Sequence, residues 1–409
     1  MLEQVIPIII TVDTKGGEAV FLKKFIENNE FRAPIIDVST RATKNIAIEY
    51  PNYAVCKYAG IEINQLAKMR RDHMMETMGK GAALILQDLL SSNKLKGVIS
   101  IGGNQGTAIA SIAMRSLPIG IPKLIISTVA SGNVRPYVEY KDITMMFSVA
   151  DFVGQPNIIT RTILTNGAGA VMGMARYGQP IKISNKPVIA TTAFGNTDIA
   201  VSHARRILES KGYEVVAFHA SGAGGSAMEY MIEQGYIQGV LDVTTHELIG
   251  EVCGDDIYTP IRSRLVEASK IGIPQVVIPG AIEYFCFGSP DSIPVKYNGR
   301  KTHYHNPYNT NIRANRIEII KTAKVLASKL NSAKGPVVVL IPLYGFSENG
   351  KNGNALFEPE TDVAFIDTLL ENLNPNIIVH KLQNNINDIE FAEFAANIMD
   401  NLMLNERNL

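Results

Sequence analysis

Between the β-branched run Val98 to Ile101 and a helix-like pattern ending at Arg115 lies Gly102-Gly103-Asn104-Gln105-Gly106-Thr107. Its three glycines carry no Cβ and tolerate left-handed backbone, so successive amide N–H groups can point into one concavity. Thr107 opens the following helix, whose unpaired first-turn amides and dipole favour an anion. A phosphate is the guest for which this chemistry is suited, although a tight turn without a ligand would use the same residues. No Gly-x-x-x-x-Gly-Lys-Ser/Thr occurs, so this is not a Walker P-loop and counter-charge has to come from elsewhere.

Neighbouring strand tips are the places to look, because ligands of open α/β sheets bind at the carboxyl ends of the strands. The first strand ends in Asp13-Thr14-Lys15, the second in Asp37, and the fourth in the stretch Thr128 to Pro136 that contains Ser131, Gly132 and Arg135. Lys15 and Arg135 are the candidate phosphate partners, or else solvated surface charges. Asp37 stands where an acidic residue often binds ribose hydroxyls; a cap or turn is its plainer role. Asp13 and Asp142 could serve a Mg2+ carried in with the phosphates.

The second half has its own glycine loop, Gly222-Ala-Gly-Gly-Ser-Ala227. With Asp242 about twenty residues on, it meets the letter of a dinucleotide fingerprint, which makes an NAD(P) oxidoreductase one alternative. The helix between is barely two turns, which favours a different phosphate or carboxylate on Ser221, Gly222, Gly224, Gly225 and Ser226. Glu247, His305 and Arg313 are the candidate catalytic or substrate-holding residues nearby. His303 and His305 lack Asp, Glu or Cys at ligand spacing, so no metal site is expected. Cys56, Cys253 and Cys286 are far apart and form no CxxC, which suggests neither a disulfide framework nor a zinc site and fits a reducing cytoplasm. Gly-x-Ser-x-Gly is absent, so nucleophilic catalysis has little support.

These tips need a scaffold. In the first half, apolar runs at Val5–Val12, Pro34–Val38, Gly97–Ile101, Pro122–Ser127 and Ile143–Val149 alternate with helix-like segments such as Glu18–Asn28 and Ile63–Ser91. The second half repeats the style, with strands at Pro187–Thr192, Tyr213–His219, Val240–Val243, Gln275–Ile278, Val337–Ile341 and Ile377–His380. Its helices are expected at Ile199–Lys211, Ser226–Glu233, Pro260–Lys270, Ile312–Leu330 and Asp362–Leu373. Strands without polar alternation, separated by helices, indicate parallel sheets covered on both faces. The expected fold is therefore α/β, with two doubly wound Rossmann-like domains. A Gly/Pro-rich stretch from Gly167 to Pro187 puts the boundary near 178–186, giving domains 1–182 and 183–409. Long irregular loops are expected at Glu283–Asn311 and Tyr344–Glu360.

At 409 residues, 46% apolar and 19% charged, the composition is that of a compact protein of two domains or more. A formal net charge of +0 provides no bulk field for nucleic acid or an anionic membrane. Met1 to Asp13 reads as a first strand, not a signal peptide, and no uncharged apolar run reaches the length of a membrane helix.

Several of these segments together resemble the family named for the tomato mosaic virus resistance protein, an inhibitor of viral RNA replication, and its bacterial relatives. The residues that carry the likeness are Asp13-Thr14-Lys15, Gly102 to Thr107, Met114 to Lys123, Ser127 to Gly132, Asp142 to Met145, Phe218 to Gly225, His305-Asn306-Pro307, Pro342-Leu343 and Ile386-Asn387-Asp388. They span essentially the whole chain. The resemblance implies two Rossmann-like domains, ATP on the first of them, and a homodimer. The sequence departs from it at Asn104 and Gln105, where relatives have smaller residues, at Gln155-Pro156-Asn157, and at Asn385, where a histidine is common. The expected function is ATP or nucleotide binding, with phosphoryl or nucleotidyl transfer to a small anionic metabolite as the natural chemistry. A non-catalytic, nucleotide-gated protein-binding dimer is the alternative.

Overall fold

The computed structural model describes residues 4–41, 46–182 and 185–407. The chain divides into two compact units, Met1–Lys182 and Ile183–Leu409, and residues 183 and 184 of the expected boundary lie outside the described residues.

The amino-terminal unit runs β1 (Ile8–Ile10), α1 (Val12–Glu27), β2 (Ile35–Asp37), α2 (Asn52–Tyr58), α3 (Ile63–Leu66), α4 (Arg71–Ser91), β3 (Val98–Gly102), α5 (Asn104–Arg115), β4 (Lys123–Ser127), α6 (Arg135–Val138), β5 (Thr144–Phe147) and α7 (Ile158–Tyr177). Its sheet has the order β2-β1-β3-β4-β5, and every pairing is parallel. Every residue of β1, β3 and β4 is buried, whereas the edge strand β5 is partly exposed. Strands covered on both faces need apolar residues at successive positions, which is why these runs lack polar alternation. One face is covered by α2, α4 and α5 through Val55, Leu86, Ile109 and their neighbours, and the other by α1 and α7 through Leu22, Ile26, Leu164 and Val171.

Two departures from expectation have local causes. The helix expected over Ile63–Ser91 is broken, because Arg70 takes extended backbone (φ −63°, ψ 147°) as the N-cap of α4. The Gly-rich residues 167–177 complete α7 instead of starting a linker. A Cβ on Gly167 would come within 2.4 Å of Ile126 Cδ1, so the missing side chain lets α7 lie close on the sheet.

The carboxy-terminal unit runs β6 (Val188–Ala193), α8 (Asp198–Ser210), β7 (Glu214–His219), α9 (Ala223–Glu233), β8 (Gly239–Thr244), α10 (Glu247–Cys253), α11 (Glu267–Ile271), β9 (Gln275–Gly280), β10 (Tyr284–Phe287), β11 (Thr302–Asn306), β12 (Asn309–Arg313), α12 (Arg316–Asn331), β13 (Val337–Pro342), α13 (Pro359–Asn372), β14 (Ile378–Leu382) and α14 (Ile389–Arg407). Its main sheet is parallel, in the order β14-β13-β9-β8-β6-β7. Numbered within each unit, both sheets follow the flavodoxin-like order 2-1-3-4-5, extended by a sixth strand in this one. Helices α10, α12 and α13 cover one face and α8 with α14 the other.

The stretch expected to be an irregular loop, Glu283–Asn311, contains an antiparallel sheet of order β10-β12-β11 instead. The helix expected over Pro260–Lys270 is reduced to α11. Before α11, side chains satisfy the backbone in place of helical carbonyls: Ser226 Oγ accepts the amides of Ile261 and Arg262, and the Glu229 carboxylate accepts those of Leu265 and Glu267. Among the described residues no helix is long and apolar enough to cross a membrane.

Candidate functional site

In a 2-1-3 sheet, the chain leaves β1 and β3 in opposite directions, and a crevice opens between their carboxyl ends. A cavity of about 760 Å3 lies there in the amino-terminal unit. From the turn after β1 it is lined by Thr11, Asp13, Thr14 and Lys15, and from the loop after β3 by Gly103, Asn104, Gln105 and Gly106. The loop after β2 adds Thr40 and Arg41, and the break between α3 and α4 adds Ala67, Met69, Arg71 and Met74.

Each part is held by its own bonds. Lys15 interrupts the helical backbone of α1 (φ −131°, ψ 33°), separating the turn Val12–Thr14 from the rest of the helix. Gly103 caps α5 in extended backbone without a side-chain cap, so the first-turn amides of Asn104, Gln105 and Gly106 have no intrahelical acceptor. Gln105 Oε1 accepts Arg71 Nη2 at 3.1 Å, and Asn104 Oδ1 accepts the Tyr137 hydroxyl at 3.3 Å. Among the described residues, Lys15, Arg41 and Arg71 thus stand against one lining carboxylate, Asp13.

The structure brings together Asp13, Thr14, Lys15 and Gly103 to Gly106, and it corrects the rest of the expected phosphate site. Thr107 is buried and its amide is spent on Gly103 O at 3.0 Å, while its hydroxyl meets Ser127 Oγ at 2.7 Å. Gly102 is packed against the helix, since a Cβ there would lie 2.9 Å from Gly106 Cα. Asp37 is fully buried and accepts the amides of Val12 at 3.2 Å and Ser39 at 2.9 Å, so it knits two loops together and offers nothing to a ribose. Ser131, Gly132 and Arg135 do not line the cavity. Asp142 precedes β5 at the amino end of the sheet, where it pairs with Lys123 at 2.7 Å, away from any Mg2+ bound with phosphate. Sequence reasoning missed Arg41, Arg71, Met69 and Met74, for which no local pattern exists.

The glycine loop of the carboxy-terminal unit is already filled. It follows β7, at the sheet edge, and Glu247 reaches into it from the turn after β8: its Oε1 accepts the amides of Gly222 at 2.5 Å and Gly225 at 3.1 Å. A Cβ on Gly225 would fall 1.8 Å from Glu247 Oε2. The Ser226 hydroxyl donates to Gly222 O at 2.6 Å. The place expected for a pyrophosphate or small anion against Ser221, Gly222, Gly224, Gly225 and Ser226 is thus taken by the chain's own carboxylate. Asp242 is also committed, to Arg264 and Thr192 Oγ1. Glu247 is fully buried, with its carboxyl committed to the amides of Gly222 and Gly225 and to Arg264. Burial pushes its carboxyl and that of Glu229 up, against the opposing pull of Arg264.

Arg313 is buried likewise. It donates to Leu356 O at 3.0 Å and Asp362 Oδ1, with Glu358 Oε2 at 3.3 Å, and does not close over a substrate. His305 does line a cavity, of about 310 Å3, with Asn196, His219, Tyr258, Cys286, Asn309 and Asn387. The long loop supplying it is the β11–β12 hairpin.

Close to Arg313, the buried Glu283 accepts the Ser347 hydroxyl through Oε1, while Oε2 has no hydrogen-bond partner among the described residues. Burial pushes its carboxyl up to about 7 from an ordinary 4.5, the Arg313 charge only partly opposing. The protonated form is favoured by folding, so its contribution is complete below about pH 4.5 and lost as pH rises through about 7. Glu283→Gln should therefore gain roughly 3 kcal/mol over the parent at pH 8.5 and little at pH 4.5. Urea unfolding of both proteins at the two pH values reads this, and parallel pH profiles would refute it.

Residues 4–180 match the profile described as the N-terminal domain of Uncharacterised protein family UPF0261, and residues 186–403 match the C-terminal domain of the same family. A UPF0261 protein of Clostridium tetani is 42% identical over 395 residues, covering 96% of this chain and 97% of the relative. One from Rhizobium meliloti is 34% identical over 396 residues, covering 94% and 96%. The ToMV resistance protein Tm-1(GCR237) of Solanum lycopersicum is 35% identical over 406 residues, covering 93% of this chain and 53% of the plant protein.

Proposed function

The chain belongs to the UPF0261 family, and from its amino-terminal cavity we propose that it binds a nucleoside triphosphate, ATP in the first instance. One observation carries the reading: three cations and the open amides of a helix N-terminus meet at the switch point of a parallel sheet. The phosphates would lie on the amides of Asn104 to Gly106, flanked by Lys15, Arg41 and Arg71. Met69, Met74 and Ala67 offer the base an apolar wall. A Mg2+ arriving with the phosphates would meet Asp13, whose carboxylate is the hard oxygen ligand such an ion prefers.

Phosphoryl or nucleotidyl transfer would draw on the same cations to stabilise charge on the transferring group. Nucleotide-gated binding of a protein by a homodimer uses the same site without turnover, and release of phosphate or nucleoside diphosphate separates the two. An NAD(P) reading has less to stand on, since Glu247 sits where the pyrophosphate would go.

A thermal-shift series with ATP, GTP, NAD and NADP tests the proposal. ATP at a hundredfold excess over its Kd should stabilise the protein by about 2.7 kcal/mol. Stabilisation by NAD without ATP, or by none of the four, would overturn it.

A further inference from the structure

The carboxy-terminal unit buries a trio of electron-rich side chains drawn from three places: His246 after β8, Asp256 after α10 and Cys286 on β10. All three are buried, and a nitrogen, an oxygen and a sulfur of theirs lie within 4.8 Å of one another. His246 Nδ1 is 2.7 Å from the carbonyl of Ala281, which can only accept, so Nδ1 carries a hydrogen and Nε2 is the ring atom left for a second partner. That Nε2 is 3.2 Å from Asp256 Oδ2, yet it has no hydrogen-bond partner among the described residues. A ring nitrogen, a carboxylate and a sulfur buried against one another call for a positive charge among them, a proton on the imidazole or a metal ion in its place.

Each member is also held from behind. Asp256 accepts the amides of Tyr258 and Cys286, both at 2.6 Å, and Asn311 Nδ2 donates to Cys286 Sγ at 3.1 Å. Ala281, which fixes the imidazole, is itself held in left-handed backbone (φ 55°). A ring nitrogen aimed at one point while the other donates to a backbone carbonyl is how metal-binding histidines are oriented. A Cys–His–Asp nucleophile would place thiol and carboxylate on different ring nitrogens; here Nε2 faces the carboxylate and Nδ1 is spent on a backbone carbonyl. The rings of Phe194 and Tyr284 lie 4.8 and 5.0 Å from the imidazole, while Cys286 also lines the cavity of about 310 Å3.

We propose that His246 Nε2, the Asp256 carboxylate and Cys286 Sγ bind one divalent transition-metal ion, zinc being the one this mixed donor set favours, with a fourth position open to the cavity. On binding, the Cys286 S–H bond breaks, the sulfur–metal bond forms, and the proton leaves to solvent. The fourth position would take water or a small polar ligand entering past Asn196, His219 and Asn309. The site is independent of nucleotide binding and can fail without affecting that reading.

The test uses the whole chain. Protein purified without chelator should hold about one zinc, with X-ray absorption giving a single sulfur at about 2.3 Å among nitrogen and oxygen neighbours at about 2.0–2.2 Å. Stripped protein titrated with Co2+ should develop a thiolate charge-transfer band that is absent in Cys286→Ser and His246→Gln and kept in Cys253→Ser. If the variants misfold, the wild-type absorption spectrum alone decides. Stripped wild type that takes up neither Zn2+ nor Co2+, a zinc shell without sulfur, or an unchanged band in Cys286→Ser would overturn the proposal.

Discussion

Arg264→Ala is expected to cost the carboxy-terminal unit about 3–5 kcal/mol, enough to consume much of the stability of an ordinary domain. The guanidinium is 1% exposed and serves three carboxylates at once: Nε meets Glu247 at 2.6 Å, Nη1 meets Glu229 at 2.8 Å and Nη2 meets Asp242 at 3.0 Å. Each of those carboxylates also orders backbone or a neighbouring strand. Glu247 caps the loop before α9, Glu229 holds the turn before α11, and Asp242 accepts Thr192 Oγ1 at 2.6 Å. Removing the cation leaves three buried acids facing one another with no charge to offset them. Arg264→Lys should fail too, because one ammonium cannot reproduce a planar fork with three directed arms. Urea unfolding followed by circular dichroism measures the loss. Adding Glu229→Gln, Asp242→Asn and Glu247→Gln to Arg264→Met should recover much of it, since the penalty comes from unpaired charge more than from lost attraction. A midpoint in Arg264→Ala equal to the parent's would show that the cluster contributes nothing.

The second large effect concerns ligand, not stability. Lys15→Ala combined with Arg71→Ala should weaken ATP binding by roughly two to four orders of magnitude, at about 1.5–3 kcal/mol for each charge-assisted contact. Both side chains line the cavity from a kinked turn or a helix start, so neither supports the core, and the unfolding midpoint should stay near the parent's. Calorimetric titration at two salt concentrations is the measurement. Affinity equal to the parent's would move the phosphates elsewhere. Lost affinity with a lowered midpoint would mean that the two residues serve the fold.

The scaffold was legible because buried parallel strands leave a coarse signature. Ile8, Ile9 and Ile10 are apolar at every position, and Val98 to Ile101 at all but Ser100, since both faces are covered. Half of the lining of the amino-terminal cavity was legible for a related reason: Lys15 and Gly103 to Gly106 sit directly after strands, and strand ends are where such sheets bind. Arg71 was not, because it reaches Gln105 from a helix start 34 residues earlier, and no spacing rule links them. The glycine loop at Gly222 misled for a complementary reason. Sequence could show that its amides were able to hold an anion, but not that Glu247, 25 residues on, would fold back to be that anion.

The residues in order thus determined the α/β class, the two-unit plan and the loops able to receive negative charge, all of which follow from periodicity and backbone freedom within a few neighbouring positions. Tertiary structure alone decided which of those loops stay open. It left the amides after Gly103 free, filled those around Gly222 with Glu247, and brought His246, Asp256 and Cys286 to one point. Each outcome depends on side chains converging from distant parts of the chain, and that convergence is a property of packing that no local pattern encodes.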